Sequence, residues 1–440
     1  MTIFFFFDKK VVVTGEILPQ LVYSLTEDNK YIKKSAAFVL RSVAKHTPEL
    51  AKAVVDAESV QPLVACLGEH DPEVKEAACW AIGNISKHNG SLAQSCVKEG
   101  AVPALVHCLQ EPEVTLKQTA AAALANICSH SPELAQIVVD ENAISHLTPL
   151  IESSDTSLKK QVCSCLSHIA KHSTELAELV VESEIFPKIF FLLKDSDKQT
   201  RKNAATLIRD IVRHSPELSA LFVKAGGVPS IVDFTTEIEG NDKLPGIMTL
   251  GFVSTFSETL ATSVIKQLGI PPLGLALSDT NSSNHVKSAA AWAIGQIGRH
   301  SSSHAKAVAN ANLLPKLMEA FMAKDSDADL KEKSKKALKN IIEKCTYLEA
   351  LDPLLNEEAP ANILKYIVNQ YAKILPTNLE EKKRFVTSKG LATLQKIKVE
   401  DGSALKESID LINALYPPDV VNYYRPQYEQ KILESVNSLK

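Results

Sequence analysis

Lys45-His46-Thr47-Pro48-Glu49-Leu50-Ala51 returns as Lys87-His88-Asn89-Gly90-Ser91-Leu92-Ala93, Ser129-His130-Ser131-Pro132-Glu133-Leu134-Ala135, Lys171-His172-Ser173-Thr174-Glu175-Leu176-Ala177 and Arg213-His214-Ser215-Pro216-Glu217-Leu218-Ser219. The five histidines stand 42 residues apart; Phe256 keeps the interval without a histidine, His300 follows after 44 residues and Cys345 after 45. A self-similar period of this length marks stacked supersecondary units, each touching only its neighbours. A chain built this way offers a long binding surface in preference to one enclosed pocket.

One period shows what each unit contains. In residues 89–130, Leu92, Cys96 and Val97 form one apolar face of a short helix, and Gly100 supplies a left-handed break. Val102, Leu105, Val106 and Leu109 form the face of a second helix. The loop Glu111-Pro112-Glu113 is predicted to place its proline at the first position of a third helix, with Ala120, Ala121, Leu124 and Ile127 inward. The preceding period repeats the third helix: Asp71 as N-cap, Pro72 next, then Val74, Ala77, Ala78, Ala81, Ile82 and Ile85 at helical spacing. One short and two longer helices per ~42 residues is the armadillo pattern. The expected fold is an all-α, armadillo-repeat superhelical solenoid.

The same frame sets the boundaries. Residues 1–16 are atypical, and Phe4 to Phe7 are expected either to cover the exposed end of the core or to be disordered. Residues 17–46 form a partial repeat, 47–345 seven full repeats and 346–415 degenerate repeats. Residues 416–440 form a Tyr/Pro-containing tail, read as extended over the end of the stack, with a last turn of helix at 431–439.

Composition narrows the function. Hydrophobic residues make up 45% of the 440, and 48 basic against 52 acidic residues leave a net charge of -4. No global basic field points to nucleic acid, and no 18-residue apolar run points to a membrane. The eight cysteines contain no Cys-x-x-Cys pair, and Cys66 and Cys108 fall on equivalent apolar helices, so reduced buried thiols in the cytoplasm are expected. No phosphate loop, zinc-protease or nucleophile-elbow motif is present. No catalytic, metal or cofactor site is assigned, and the oligomeric state is left open.

Three columns run on the period. The histidines are read as caps at helix C-termini, bonding carbonyls; neighbouring helices are roughly 8–10 Å apart, too far for two column members to share a metal. Thirteen residues before each beat stands a cation: Lys33, Lys75, Lys117, Lys159, Arg201, Lys243 and Lys287. A cation near a helix N-terminus is unfavourable, so this column is either a salt-bridged ladder or a basic stripe that binds an acidic partner. Nearby Glu73, Glu76 and Glu113 would offset part of that cost. On third helices, Trp80 with Asn84, Asn126, and Trp292 with Gln296 form an interrupted groove array. Nuclear-import armadillo receptors bind basic peptides through repeated Trp and Asn at this spacing, and here the array is broken.

Beyond the repeat, Ala290-Ala291-Trp292-Ala293-Ile294-Gly295-Gln296-Ile297-Gly298-Arg299-His300, Leu244-Pro245-Gly246-Ile247-Met248-Thr249-Leu250-Gly251, Lys333-Ser334-Lys335-Lys336-Ala337 and Arg384-Phe385-Val386-Thr387-Ser388 resemble the sperm-associated antigen family of armadillo proteins. The resemblance runs from about residue 17 to the end, and a shortened or divergent N-terminus is expected. It implies a non-enzymatic scaffold of the central-pair apparatus in motile cilia and flagella, a cytoskeletal location, and protein partners among central-apparatus proteins and microtubules. The alternative is a cytosolic or nuclear adaptor binding acidic segments in its groove. An enzyme recruiting His300, His304 and Cys345 is the third and weakest reading.

Overall fold

A computed structural model describes residues 17–399, 402–426 and 428. Phe4 to Phe7 and residues 431–439 lie outside the described residues. The chain divides into two compact units, residues 1–227 and 228–440. All regular elements among the described residues are helices.

The recurring phrase is a helix start. Thr47 accepts from the Leu50 N–H at 3.2 Å, Asn89 from Leu92 at 3.0 Å, and Ser131 from Leu134 at 3.3 Å. Ser173 and Ser215 do the same for Leu176 and Leu218. Each cap satisfies a donor that the helix cannot, and the capped leucine is the first buried residue of its helix. First helices run Pro48–Asp56, Gly90–Lys98, Pro132–Asp140, Thr174–Glu182 and Pro216–Lys224.

A second signal recurs at the junction with the second helix. Glu58, Gly100, Asn142, Glu184 and Gly226 all have positive φ, from 56° to 83°. Only glycine takes that conformation without cost. The second helices that follow are Val60–Leu67, Ala101–Cys108, Ala143–Leu150 and Ile185–Leu192.

Third helices form the spine. In the first unit Lys30–Ala44, Pro72–Ser86, Val114–Cys128, Thr156–Ala170 and Lys198–Val212 pack on one another in order. Small residues set the spacing: a Cβ on Gly83 would lie 3.3 Å from Ala123. Asp71 caps Pro72–Ser86 as expected, accepting from Glu73 and Val74. The next third helix differs from expectation. It starts at Val114 with Glu113 as N-cap, so Pro112 lies ahead of the helix in the loop.

In the second unit Leu244–Phe256, Asn284–Gly298 and Ala328–Ile342 pack in the same order. Ala361–Ile374 then packs on Ala404–Asn413, and Leu379–Thr387 on Gly390–Lys396. Arg384 ties these late helices down through Asp352 and, at 2.7 Å, Glu381. The segment read as extended contains a helix, Pro418–Tyr423, because Pro418 sits in its first turn, where a missing N–H costs nothing.

Candidate protein-binding groove

The histidine column is a set of stitches between repeats. His88 Nε2 lies 2.6 Å from the Ala44 carbonyl, His130 2.7 Å from Ser86, His172 2.6 Å from Cys128 and His214 2.8 Å from Ala170. In the second unit His300 lies 2.6 Å from the Ser254 carbonyl. Each ring reaches the C-terminal carbonyls of the preceding third helix, which have no partner within that helix. Burial holds His172, His214 and His300 below the usual histidine pKa, against the carbonyl contact that favours the charged ring.

A parallel stitch precedes it by one residue. Lys171 Nζ donates to the Ser129 carbonyl at 2.8 Å, Arg213 to Lys171 at 3.1 Å and Arg299 to Thr255 at 2.6 Å. Charge and geometry agree here, since cations are favoured at helix C-termini. The signal was present in the sequence: Lys45, Lys87, Lys171, Arg213 and Arg299 each precede a column histidine.

The basic column lies at the opposite end of the third helices. Lys33 pairs with Glu69 at 2.5 Å, Lys75 with Glu111, Lys159 with Asp195 at 2.5 Å, and Lys243 with Asp279 at 3.6 Å. Every acid comes from the loop before the next third helix, 36 residues on. The column's direct ion pairs are thus made with the neighbouring repeat, while Glu73 pairs with Lys34. The hydrogen bond from Lys75 holds the Glu111 carboxyl below the usual carboxylate range. Lys243 sits in a 3-10 turn, Gly240–Lys243, just ahead of its helix. Arg201 is half-buried at the equivalent register. Lys117 and Lys287 are also half-buried, with no carboxylate at ion-pair distance among the described residues.

On the third helices Trp80, Asn126 and Trp292 are half-buried, and Asn84 and Gln296 are buried. In the first unit Arg41 stacks on Trp80, 4.3 Å from the ring centroid. Asn84 Nδ2 donates to the Trp80 carbonyl at 2.8 Å, and Asn126 Nδ2 to the Gly83 carbonyl at 3.0 Å, bridging two repeats. His168 occupies the asparagine position one repeat on, and burial lowers its pKa to about 4. Asp210 follows, nearly inaccessible, held by the Ser167 hydroxyl at 2.7 Å and by Arg209. In the second unit Trp292 meets Phe252 edge-on at 5.1 Å and lies over Gly251, where a Cβ would sit 2.2 Å from the ring. Gln296 is buried, and its Oε1 has no hydrogen-bond partner among the described residues.

His304 replaces the capped leucine of its repeat. Its two ring nitrogens meet Ser301 at 2.8 Å and Thr262 at 3.1 Å. Cys345 is buried, as are all eight cysteines. No cluster of three metal-ligating side chains occurs among the described residues. No single described helix is long and apolar enough to cross a membrane.

Residues 47–87, 92–129 and 131–171 match the Armadillo/beta-catenin-like repeat family. The crystal structure of an engineered protein superposes with a TM-score of 0.76 at 24% identity, covering 90% of this chain and 98% of that one. The chain has the all-α armadillo-repeat solenoid fold. A designed armadillo repeat protein in complex with the peptide (KR)4 also superposes, with a TM-score of 0.52 at 25% identity over 54% of this chain and 99% of that one. Sperm-associated antigen 6 of Homo sapiens is 53% identical over 168 residues, which is 38% of this armadillo chain and 33% of the relative. The Mus musculus protein of that name is 54% identical over the same length. The chain thus matches a third of the length of these curated relatives. The chain therefore resembles sperm-associated antigen 6 over that third and has an armadillo-repeat architecture.

Proposed function

We propose that this armadillo protein is a non-enzymatic scaffold of the axoneme central apparatus, supporting the motility of cilia and flagella. The likeness to sperm-associated antigen 6, at 53% identity over 168 residues, carries the reading. The physical role of the conspicuous side chains supports it. Column histidines contact backbone carbonyls, and the cysteines are buried. These are the residues an enzyme would need free.

Central-apparatus proteins and microtubules are the proposed partners. An acidic microtubule surface would be met by cations that lack an internal partner, and Lys117 and Lys287 are the members of the basic column that qualify. Such a contact weakens as salt rises, because screening shortens to about 8 Å at physiological ionic strength. The second reading, an adaptor for acidic segments, draws on the cations at third-helix C-termini, Lys45, Lys87, Lys171 and Arg213.

The test is fractionation of tagged chain from ciliated cells, beside cosedimentation of purified chain with microtubules in a salt series. Recovery in the detergent-extracted axoneme supports the scaffold. A folded chain absent from that fraction overturns it and leaves the adaptor. Salt-sensitive pelleting lost in a Lys117→Glu, Lys287→Glu variant assigns the lattice contact to those lysines. Axonemal recovery without pelleting assigns it to other proteins.

A further inference from the structure

The ladder of lysines and acids has an open rung, and a serine occupies it. Counting 36 residues from Lys33, Lys75, Lys159 and Lys243 gives Glu69, Glu111, Asp195 and Asp279, each an observed partner. The same count from Lys117 gives Ser153. Loop geometry shows that the equivalence is structural. Asp195 accepts from the Asp197 N–H at 2.9 Å and Asp279 from the Asn281 N–H at 2.9 Å. Ser153 Oγ accepts from the Asp155 N–H at 3.1 Å, the same turn made by a hydroxyl. Ser153 therefore stands where the other loops hold a carboxylate, and Lys117 has no carboxylate at ion-pair distance among the described residues.

We propose that Ser153 is a phosphorylation site whose phosphate closes the ladder on Lys117. Ser153 also borders a surface cavity of about 400 Å³, lined on its far side by Lys159, Lys188 and Phe191 of the same and the next repeat, with Lys117 outside it. Lys188 lies 3.9 Å from Glu152, so a second cation borders the same hollow. Glu152 and Ser154 beside the acceptor are exposed, on a loop between helices that end at Leu150 and begin at Thr156. Asp155 nearby adds a like charge, but its carboxylate is already engaged, capping Leu158 at 2.7 Å.

The chemistry is a phosphoryl transfer from ATP on a protein kinase. The Ser153 Oγ–P bond forms as the bond from the γ-phosphorus to ADP breaks, and the hydroxyl proton passes to the kinase base. The product carries about -1.5 to -2 charges at neutral pH and three strong acceptor oxygens. One such anion opposite Lys117 replaces the missing acid with a stronger one. The modification would stiffen the junction between the third helices Val114–Cys128 and Thr156–Ala170, and make that edge of the solenoid more acidic.

Full-length chain bearing phosphate on Ser153, installed by genetic encoding, is compared with unmodified chain by hydrogen exchange, in wild-type and Lys117→Gln backgrounds. Amide protection in residues 114–128 and 156–170 is expected to rise roughly five-fold with phosphate, to revert on phosphatase treatment, and to be unchanged in Lys117→Gln. Ser153→Asp, which copies the other loops, is expected to give part of the gain. Mass spectrometry of chain isolated from eukaryotic cells is expected to find the phosphopeptide. Absence of phosphate at Ser153, or a gain that survives Lys117→Gln, overturns the proposal.

Discussion

His130 joins two repeats through one atom. Its contact, the Ser86 carbonyl, belongs to a fully buried residue, so removing the ring strands an acceptor. His130→Leu is expected to cost about 1–3 kcal/mol, read as a lower urea midpoint. His88→Leu, at an equivalent stitch, is expected to cost a similar amount. Histidine also brings pH dependence. Burial drives the His168 pKa from 6.5 down to about 4 and lowers His172, His214 and His300 in the same direction. The folded chain therefore keeps the His168 ring neutral in a range where the unfolded chain, titrating near 6.5, protonates it. Between about pH 6.5 and 4 the unfolded state binds more protons, so stability rises with pH and is lost as pH falls through that window. Thermal midpoints measured from pH 7.5 to 5 should fall, and His168→Gln should flatten the fall. Leu268 presents the opposite opportunity. It holds φ at 59° while 69% exposed, so Leu268→Gly loses little burial and relieves left-handed strain. A gain of up to about 1 kcal/mol is expected in a thermal melt.

Third helices approach closely enough for one methyl group to decide their packing. A Cβ on Gly295 would lie 2.9 Å from both Cα and Cβ of Ala337, backbone included, so neither helix can yield alone. Gly295→Ala is expected to cost about 1–3 kcal/mol. Gly68→Ala, whose nearest contact would be 3.4 Å, serves as the tolerated control in the same melt. The 42-residue phrase, the break at Gly100 and the Asp71 cap with its apolar third-helix face were legible because each is a local necessity, whereas the same left-handed break at Glu58, Asn142 and Glu184 carries no glycine to announce it. The partners of the basic column were less legible. Lys159 and Asp195 are both mostly buried, yet they belong to neighbouring repeats, so no local helix rule couples them. The acids recur at the same interval as the lysines, but that pattern gains meaning only once consecutive third helices are known to stack. Asn84 and Asn126 read as groove residues, and both spend an amide donor on backbone carbonyls, a use that spacing does not reveal. Pro112 misled because a proline two residues early looks identical to one at a first helical position.

At the scale of the molecule, stability is a sum of repeats and the junctions between them. That architecture was legible from the period alone, since it depends on self-similarity and not on any single contact. Where the period loosens after Cys345, specific contacts take over, such as Arg384 with Asp352 and Glu381, and these have no repeated signature. A linear stack has a further consequence. Losing one internal junction does not lower the stability of every helix equally; it separates the repeats on either side. Within residues 17–227 the junction between Pro72–Ser86 and Val114–Cys128 carries the His130 stitch, the Asn126 bridge, the Lys75–Glu111 pair and the close approach at Gly83. His130→Leu combined with Gly83→Val removes one and wedges another. Hydrogen exchange on that variant is expected to show residues 30–86 losing protection well ahead of residues 114–212, where the wild type opens both together. Uniform loss across both segments would show that cooperativity in this stack reaches beyond nearest neighbours.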